Sequence, residues 1–384
     1  MNSPAPRTQR VDLMRHVRTW WDIQPVIVPL LAVLLSFVVG GVLIAIVGVN
    51  PFDAYWALLR GMFGSGTRVA GSLAKSVPYI GSALALAFAM RAGLFNIGAE
   101  GQLLVGGLAA AWAGTWAFMY DVPSIVAVPI IVLAGFIGGA AWGSVPGVLR
   151  AKTGAHEVIT TIMLNWIALF GSRWIAESRD PVVLLDAGAS VPRTKPISTT
   201  AYLPRFVSSN PPLHAGIFVL VIAAIVVWWV LRRTTFGFST ITTGTNPNAA
   251  HYAGINVNRM MIMAMVIAGG CAGLSGASEV AGTNHFFQPG TFAGMGFDGI
   301  AIAMLARANP LAIIPSAFLW GALRAGAPLM QQEAGVSIDV VRIIQAMVLL
   351  FVAADAIVRW VFRVRSERAT GGAPEVATSG LGSA

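Results

Sequence analysis

A single cysteine, Cys271, lies inside an apolar stretch, so neither a disulfide framework nor a thiolate metal site can be built from this chain. Charge is as scarce. Asp, Glu, Lys and Arg make up 11% of the 384 residues, against about 25% in soluble globular proteins, while 56% are hydrophobic. So little charge does not cover a water-exposed surface, and the composition reads as an all-α integral membrane protein. Lysine occurs only at Lys75, Lys152 and Lys195, and none follows a glycine. That excludes the Gly-x4-Gly-Lys-Ser/Thr phosphate loop, and with it ATP hydrolysis by that route. The histidines are scattered along the sequence, and His156-Glu157 lacks the second histidine that a zinc helix needs four residues on. No metal site and no nucleophile-base set is visible, so the chain reads as something other than an enzyme.

The net charge of +9 sits in short Arg/Lys clusters beside hydrophobic runs, not along one stripe, which points to membrane topology and away from nucleic acid. Apolar runs predict ten spans, near 26–49, 72–90, 99–118, 124–149, 158–176, 214–231, 260–281, 293–306, 311–330 and 339–358. With the N-terminus inside, fifteen of the twenty-five basic residues fall on the cytoplasmic side, which places both termini there. The run 26–49 is too long for a signal-peptide core and reads as an uncleaved anchor behind a cytoplasmic tail, 1–25. The loop 177–213 carries six prolines and is expected to be irregular and external, with a short interfacial helix. Residues 51–65, with Trp56, Leu58, Leu59 and Met62, read as a helix lying on the outer face. Residues 26–358 thus form one membrane domain, and 359–384 a cytoplasmic tail that is mostly disordered. Gly135, Gly138, Gly139, Ala140, Gly143 and Gly147 in the fourth span read as a close packing face.

Two stretches break the pattern. Gly93 to Gln102 places glycines, an amide and a carboxylate between hydrophobic runs, and 282–296 does the same before a short eighth span that is not expected to cross alone. Non-helical backbone at membrane depth is tolerated only where protein or a water-filled cavity surrounds it. Breaks at matching places in two halves are the mark of an inverted repeat around a central passage.

Glu100, Glu157, Asp298 and Asp339 all sit at predicted helix N-termini, where a carboxylate caps free N–H groups and meets the positive end of the dipole. For Asp298 and Asp339 this capping role is favoured, and Arg342 accompanies Asp339. Glu279 lies near a helix C-terminus and needs a partner; Arg324, deep in the ninth span, is the candidate, with a solvated pore lining as the alternative. Asp355 has Arg359 one turn on. In the cytoplasmic loop 232–259, Asn246 suits an N-cap, Pro247 the first helical position and Gly254 the stop, specifying one short helix with His251 and Tyr252 on an Ala-rich face suited to docking.

The segments Phe95 to Gln102, Glu157 to Asn165, Gly244 to Ile255 and Gly296 to Ala303 resemble those of bacterial ABC-importer permeases of the nucleoside-uptake branch, related to the ribose permeases. The resemblance covers residues 26–358; Gly154-Ala155-His156 departs from the family pattern before Glu157. It implies a ten-helix type II importer fold and a partnership with a second permease chain, a cytosolic ABC ATPase that holds ATP and Mg, and an extracytoplasmic substrate-binding lipoprotein. No cofactor is expected in this chain, and the location implied is the bacterial plasma membrane. Residues Asn246, Pro247, Asn248, Ala249, Ala250, His251, Tyr252 and Gly254 are then the coupling helix toward the ATPase. Candidates for the substrate pathway are Asn96, Glu100, Gln102, Glu157, Asn165, Glu279, Asn284 and Asp298, with Phe286 and Phe287 stacking on a base. Against this, the two phenylalanines also suit an interfacial anchor, and Asn165 a tie between helices. A simple-sugar permease is the alternative, and a proton-coupled carrier with Glu100, Glu157 or Glu279 as relay a more distant one.

Overall fold

The computed structural model describes residues 24–354 together with 357, 358, 361 and 362. Asp355, Arg359 and most of both tails lie outside the described residues. The chain runs α1 (Gln24–Ile46), α2 (Pro51–Phe63), α3 (Gly66–Arg91), α4 (Ala99–Gly114), α5 (Ser124–Thr153), α6 (Glu157–Glu177), α7 (Gly216–Arg233), α8 (Thr235–Thr245), α9 (Pro247–Tyr252), α10 (Val257–Glu279), α11 (Met295–Leu305), α12 (Pro310–Ala334) and α13 (Ile338–Ala353). Every predicted span is a helix, but only α1, α3, α5, α6, α7, α10 and α12 are long and apolar enough to cross a bilayer alone. Helices α4, α11 and α13 are shorter, at 16, 11 and 16 residues.

The centre is made of α3, α4, α10 and α11. Helix α3 is rich in Ala, Ser and Gly and buried almost continuously from Ser76 to Ala89, because its small side chains let neighbours close in from all sides. The contacts repeat in pairs: α3 packs on α12 and α11 as α10 packs on α5 and α4. This is the inverted repeat. Helix α1 is peripheral. It turns Val28, Ala32, Ser36 and Gly40 inward and Leu30, Leu34, Val38 and Val42 outward, a period of four that gives one face to protein and one to lipid.

The most extensive helix pair is α5 with α10. Gly135, Gly139 and Gly143 meet Gly269 and Gly273 backbone to backbone, with Gly106 of α4 against the same seam. The small-residue face of the fourth span is therefore a packing surface, as its composition predicts.

Three local expectations are corrected. Helix α2 does form, with Asn50 accepting from the Phe52 N–H at 3.0 Å, but it packs against α12 through Ala57, Leu58, Gly61 and Met62 instead of only lying on a surface. The loop after α6 holds a 3-10 turn at Thr199–Ala201 and a small antiparallel pairing of Arg205–Val207 with Leu213–His214. Between α7 and α10 there are two helices, not one. Helix α8 carries little helical signal in its sequence because Ser and Thr have weak helix propensity; here the Ser239, Thr240, Thr242 and Thr245 hydroxyls donate to carbonyls four residues back.

A methyl group on Gly139 would collide with the Gly269 and Gly273 backbone, whereas nothing lies near a methyl group on Gly171 of α6. Gly139→Ala is expected to destabilise the protein by about 1 to 3 kcal/mol. Gly171→Ala should leave the melting temperature in detergent unchanged or slightly raised.

Candidate functional site

The two breaks meet inside the bundle. After α3 the chain turns at Gly93, whose φ of +74° places it in the left-handed region, and resumes as α4 at Ala99. After α10 it passes through a π turn, Val280–Asn284, and resumes as α11 behind Gly294, with φ of +85°. The N-termini of α4 and α11 face each other so closely that a Cβ on Gly296 would strike the backbone of Ala99 and Glu100. Two positive helix ends are thereby brought together, and each exposes unpaired N–H groups.

Glu100 resolves this. Its Oε1 accepts from the Gly294 N–H and its Oε2 from the Gly296 N–H, both at 2.7 Å. The expectation that Glu100 caps its own helix is corrected: from the first turn of α4 it caps α11, across the repeat. The start of α4 is held by other groups. Asn165 of α6 accepts from the Gly101 N–H at 2.9 Å and donates to the Ile97 carbonyl at 3.0 Å. Asn96 and Gln102 exchange two amide hydrogen bonds, at 2.9 and 3.1 Å, and Asn96 also accepts from the Gly98 N–H. All four side chains are buried.

Asp298, one turn into α11, pairs with Arg324 of α12 at 2.7 Å, with Tyr79 and Trp320 bordering the carboxylate. This corrects two expectations, since Asp298 is held by an ion pair and Arg324 is not the partner of Glu279. Glu279 is buried near the end of α10, with the Thr283 hydroxyl as its polar neighbour. Nearby on the same helix and turn, Ser275 Oγ, Ser278 Oγ and Asn284 Nδ2 are buried without a hydrogen-bond partner. Glu157 starts α6, 3.4 Å from Arg150 and one turn before Thr161, which borders Gly98 of the first break. Asp339 does pair with Arg342, at 2.9 Å.

A strap from the loop after α6 covers the second break. Thr194 donates its N–H to the Phe287 carbonyl and receives the Phe287 N–H on its hydroxyl, both at 2.9 Å. Ile197 N–H donates to the His285 carbonyl, and Leu203 N–H to the Ala281 carbonyl. Arg205 reaches the Gly282 and Thr283 carbonyls at 3.2 Å and the His285 Nε2, while Tyr202 stacks on the His285 ring. Phe287 is fully buried against Phe292, and Phe286 carries the Arg193 guanidinium 4.5 Å above its ring. Neither Arg205 nor Thr194 was singled out from sequence, because a proline-rich loop carries no periodicity to mark its anchors.

Two imidazoles sit under this strap. His214 Nδ1 accepts from the Gly216 N–H at 3.1 Å, so the neutral ring carries its proton on Nε2, 3.2 Å from the Thr283 hydroxyl. Burial, Arg205 and His285 lower the His214 pKa to about 4, and burial and Arg205 lower that of His285 to about 4.

At the other end of the bundle α9 is built as its sequence predicts. Asn246 accepts from the Asn248 and Ala249 N–H groups at 3.0 and 3.1 Å, Pro247 takes the first position and Gly254 turns at φ of +78°. Ala250 is buried, while His251 and Tyr252 are exposed, Tyr252 by 92%. Helix α8 links this element to the first break, for Gly244 rests on the backbone of residues 91–93.

Glu100→Gln keeps one acceptor and loses the charge, so it is expected to cost about 1.5 to 3 kcal/mol, read as a lowered melting temperature. Both imidazoles are held neutral, with pKa values of about 4 below an ordinary 6.5. Their contribution to stability is complete above pH 6.5 and lost as pH falls toward 4, where the unfolded chain binds the additional protons. The melting temperature is expected to fall across that window, and to fall less in a His214→Gln/His285→Gln variant.

With this geometry in view, the comparisons with known proteins are specific. The family described as branched-chain amino acid transport system / permease component matches residues 68–353. The guanosine ABC transporter permease protein NupP of Bacillus subtilis is 38% identical over 341 residues, 87% of this chain and 95% of the relative. The nucleoside ABC transporter permease protein NupB of Lactococcus lactis is 36% identical over 340 residues, 87% of this chain and 92% of the relative. The glucose ABC transporter permease protein TsgB13 of Haloferax volcanii is 32% identical over 362 residues, 92% of this chain and 93% of the relative. No solved structure matches the chain.

Proposed function

The chain belongs to the family of branched-chain amino acid transport system permease components, and from that premise we propose that it is the membrane subunit of an ATP-driven importer that brings nucleosides into the cytoplasm. The observation that carries the reading is the pair of interrupted helices meeting at Glu100, with a helix presented for docking on the adjoining end of the bundle. The glucose permease supplies a sugar reading, but it is less similar than the two nucleoside permeases.

The partners proposed are a cytosolic ABC ATPase that holds ATP and Mg, a second permease chain and an external substrate-binding lipoprotein; this chain itself holds no cofactor. The positive-inside rule sets the orientation. Arg91, Arg150, Lys152, Arg232, Arg233, Arg259 and Arg307 lie near the helix ends on one side, which supports a cytoplasmic reading of that side and of α9. The strap and the second break then face outward, where the binding protein delivers its cargo.

Movement of the ATPase enters through Tyr252 and His251, passes along α8 and reaches the first break at the Gly244 contact with residues 91–93. From there Glu100 carries it to α11. The groups offered to the cargo are those with hydrogen-bonding capacity to spare, namely Glu279, Asn284, Ser275 and Ser278. Asn96, Gln102 and Asn165 act on it by shaping the break. Few contacts suffice, because a pore that binds tightly holds its substrate.

Two variants test the route. Tyr252→Ala is expected to weaken association with the ATPase roughly 30-fold, the loss of one buried aromatic anchor of about 2 kcal/mol, with membrane insertion unchanged. Gly244→Ala should leave that association intact and depress nucleoside uptake, since its methyl group meets the backbone at residues 91–93. Full uptake and ATPase capture in both variants would refute the coupling role of α8 and α9.

A further inference from the structure

The same basic end carries a feature that the transport reading leaves unused. A groove of about 480 Å³ runs between α1 and α12, closed at its basic end by Arg91, Arg307 and Asn309. Its walls are apolar and follow both helices in one direction. Pro29, Leu30 and Val33 line it along α1, and Ala312, Pro315 and Leu319 along α12. From Asn309 to Leu319 is ten residues of helix, about 15 Å of slot leading from the charged end toward the middle of the membrane. A second pocket, about 270 Å³, adjoins the same Arg307 and Pro29 and is lined by Met90, Met304 and Val352 at the basic ends of α3, α11 and α13.

The charge at the mouth is built into the fold. Arg307 is exposed in the turn between α11 and α12, where it and Ala308 both adopt positive φ, of 50° and 52°. That turn is fixed from outside itself: Arg91 donates Nε and Nη2 to the Ala308 carbonyl at 3.2 and 2.9 Å, which holds its own guanidinium beside the mouth. Among the described residues neither arginine has a carboxylate partner, and no acidic side chain lines either groove.

We propose that this is a binding site for an anionic phospholipid, with its phosphate at Arg307 and Arg91 and an acyl chain in the groove between α1 and α12. Two cations and no acid favour a headgroup with net negative charge over a zwitterionic one, whose ammonium would have no partner here. The apolar slot selects a lipid over a free phosphate, which would leave it unfilled. Bound there, the lipid ties peripheral α1 to the end of α11, the helix that Glu100 caps at its other end.

The experiment is native mass spectrometry of the full chain, purified in mild detergent and offered equal amounts of phosphatidylglycerol and phosphatidylethanolamine. The wild type is expected to retain phosphatidylglycerol preferentially. Arg307→Gln should lower that retention about fivefold, the effect of one basic residue near a membrane surface. Arg307→Lys should restore most of it, and Arg233→Gln, a change of equal charge away from the groove, should have no effect. Asp355→Asn separates the lipid from a partner within the chain, because Asp355 follows Val352 by three residues. The proposal is overturned if Arg307→Gln retains phosphatidylglycerol as the wild type does, or if Asp355→Asn raises retention severalfold, which would show that the chain's own carboxylate answers Arg307. Equal retention of the two lipids by the wild type would also overturn it.

Discussion

One carboxylate holds the two halves of this membrane domain in register. Each interrupted helix begins within the bundle with N–H groups that no preceding turn can satisfy, and in hydrocarbon each unpaired group costs several kcal/mol. Glu100 removes two of them at the start of α11, and it does so from the start of α4, where its own charge faces the positive end of the opposing dipole. The paired helix ends and the buried acid therefore require each other. Without the acid the two positive ends would meet unshielded. Without the ends, a buried carboxylate would have nothing to offset its desolvation.

That clasp demands close approach, and the glycine seam supplies it. Glu100 has a short reach, so α4 and α11 must come nearly into backbone contact, and Gly296 leaves the room. The same holds one layer out, where α5 and α10 touch through Gly139, Gly269 and Gly273 and so fix α4 between them. Water cannot drive helices together inside a bilayer, so this packing rests on dispersion and on backbone surfaces that fit. The polar network and the small-residue seams are thus one design, in which the seams set the distances that the hydrogen bonds need.

How much of this was legible in the sequence follows from how local each signal is. The spans, the small-residue face of α5 and the cap of α9 are set by neighbours in sequence, and they were readable. The partners of the buried acids were not. Glu100 and Gly294 lie 194 residues apart, and capping logic applied along the chain points Glu100 at the helix it begins. The sequence pointed Arg324 at Glu279, and only the packing of α11 on α12 assigns it to Asp298. The strap was invisible for a related reason: Thr194 and Arg205 bond to backbone carbonyls and N–H groups, which carry no sequence identity for a partner to match.

The two breaks differ in how they are closed, and the difference bears on how such a domain moves. The first is sealed by buried side chains that answer one another, Asn96 with Gln102 and Asn165 with two backbone groups. Opening it would strand amides in a dry interior, at about 1 to 3 kcal/mol for each group left unpaired. The second is sealed by a strap whose backbone bonds at Thr194, Ile197 and Leu203 are buried while Arg205 bonds from an exposed rim, and beneath it Ser275 Oγ, Ser278 Oγ and Asn284 Nδ2 stand without partners. The turn beneath the strap thus keeps polar groups with hydrogen bonds still to make, while the first break moves only as a unit with the elements it is bonded to. Helix α8 rests on one side of that unit at Gly244, and α11 on the other at Glu100. A push on α8 is therefore carried through the rigid break, and the place with polar groups free to take new partners as it moves is the turn after α10.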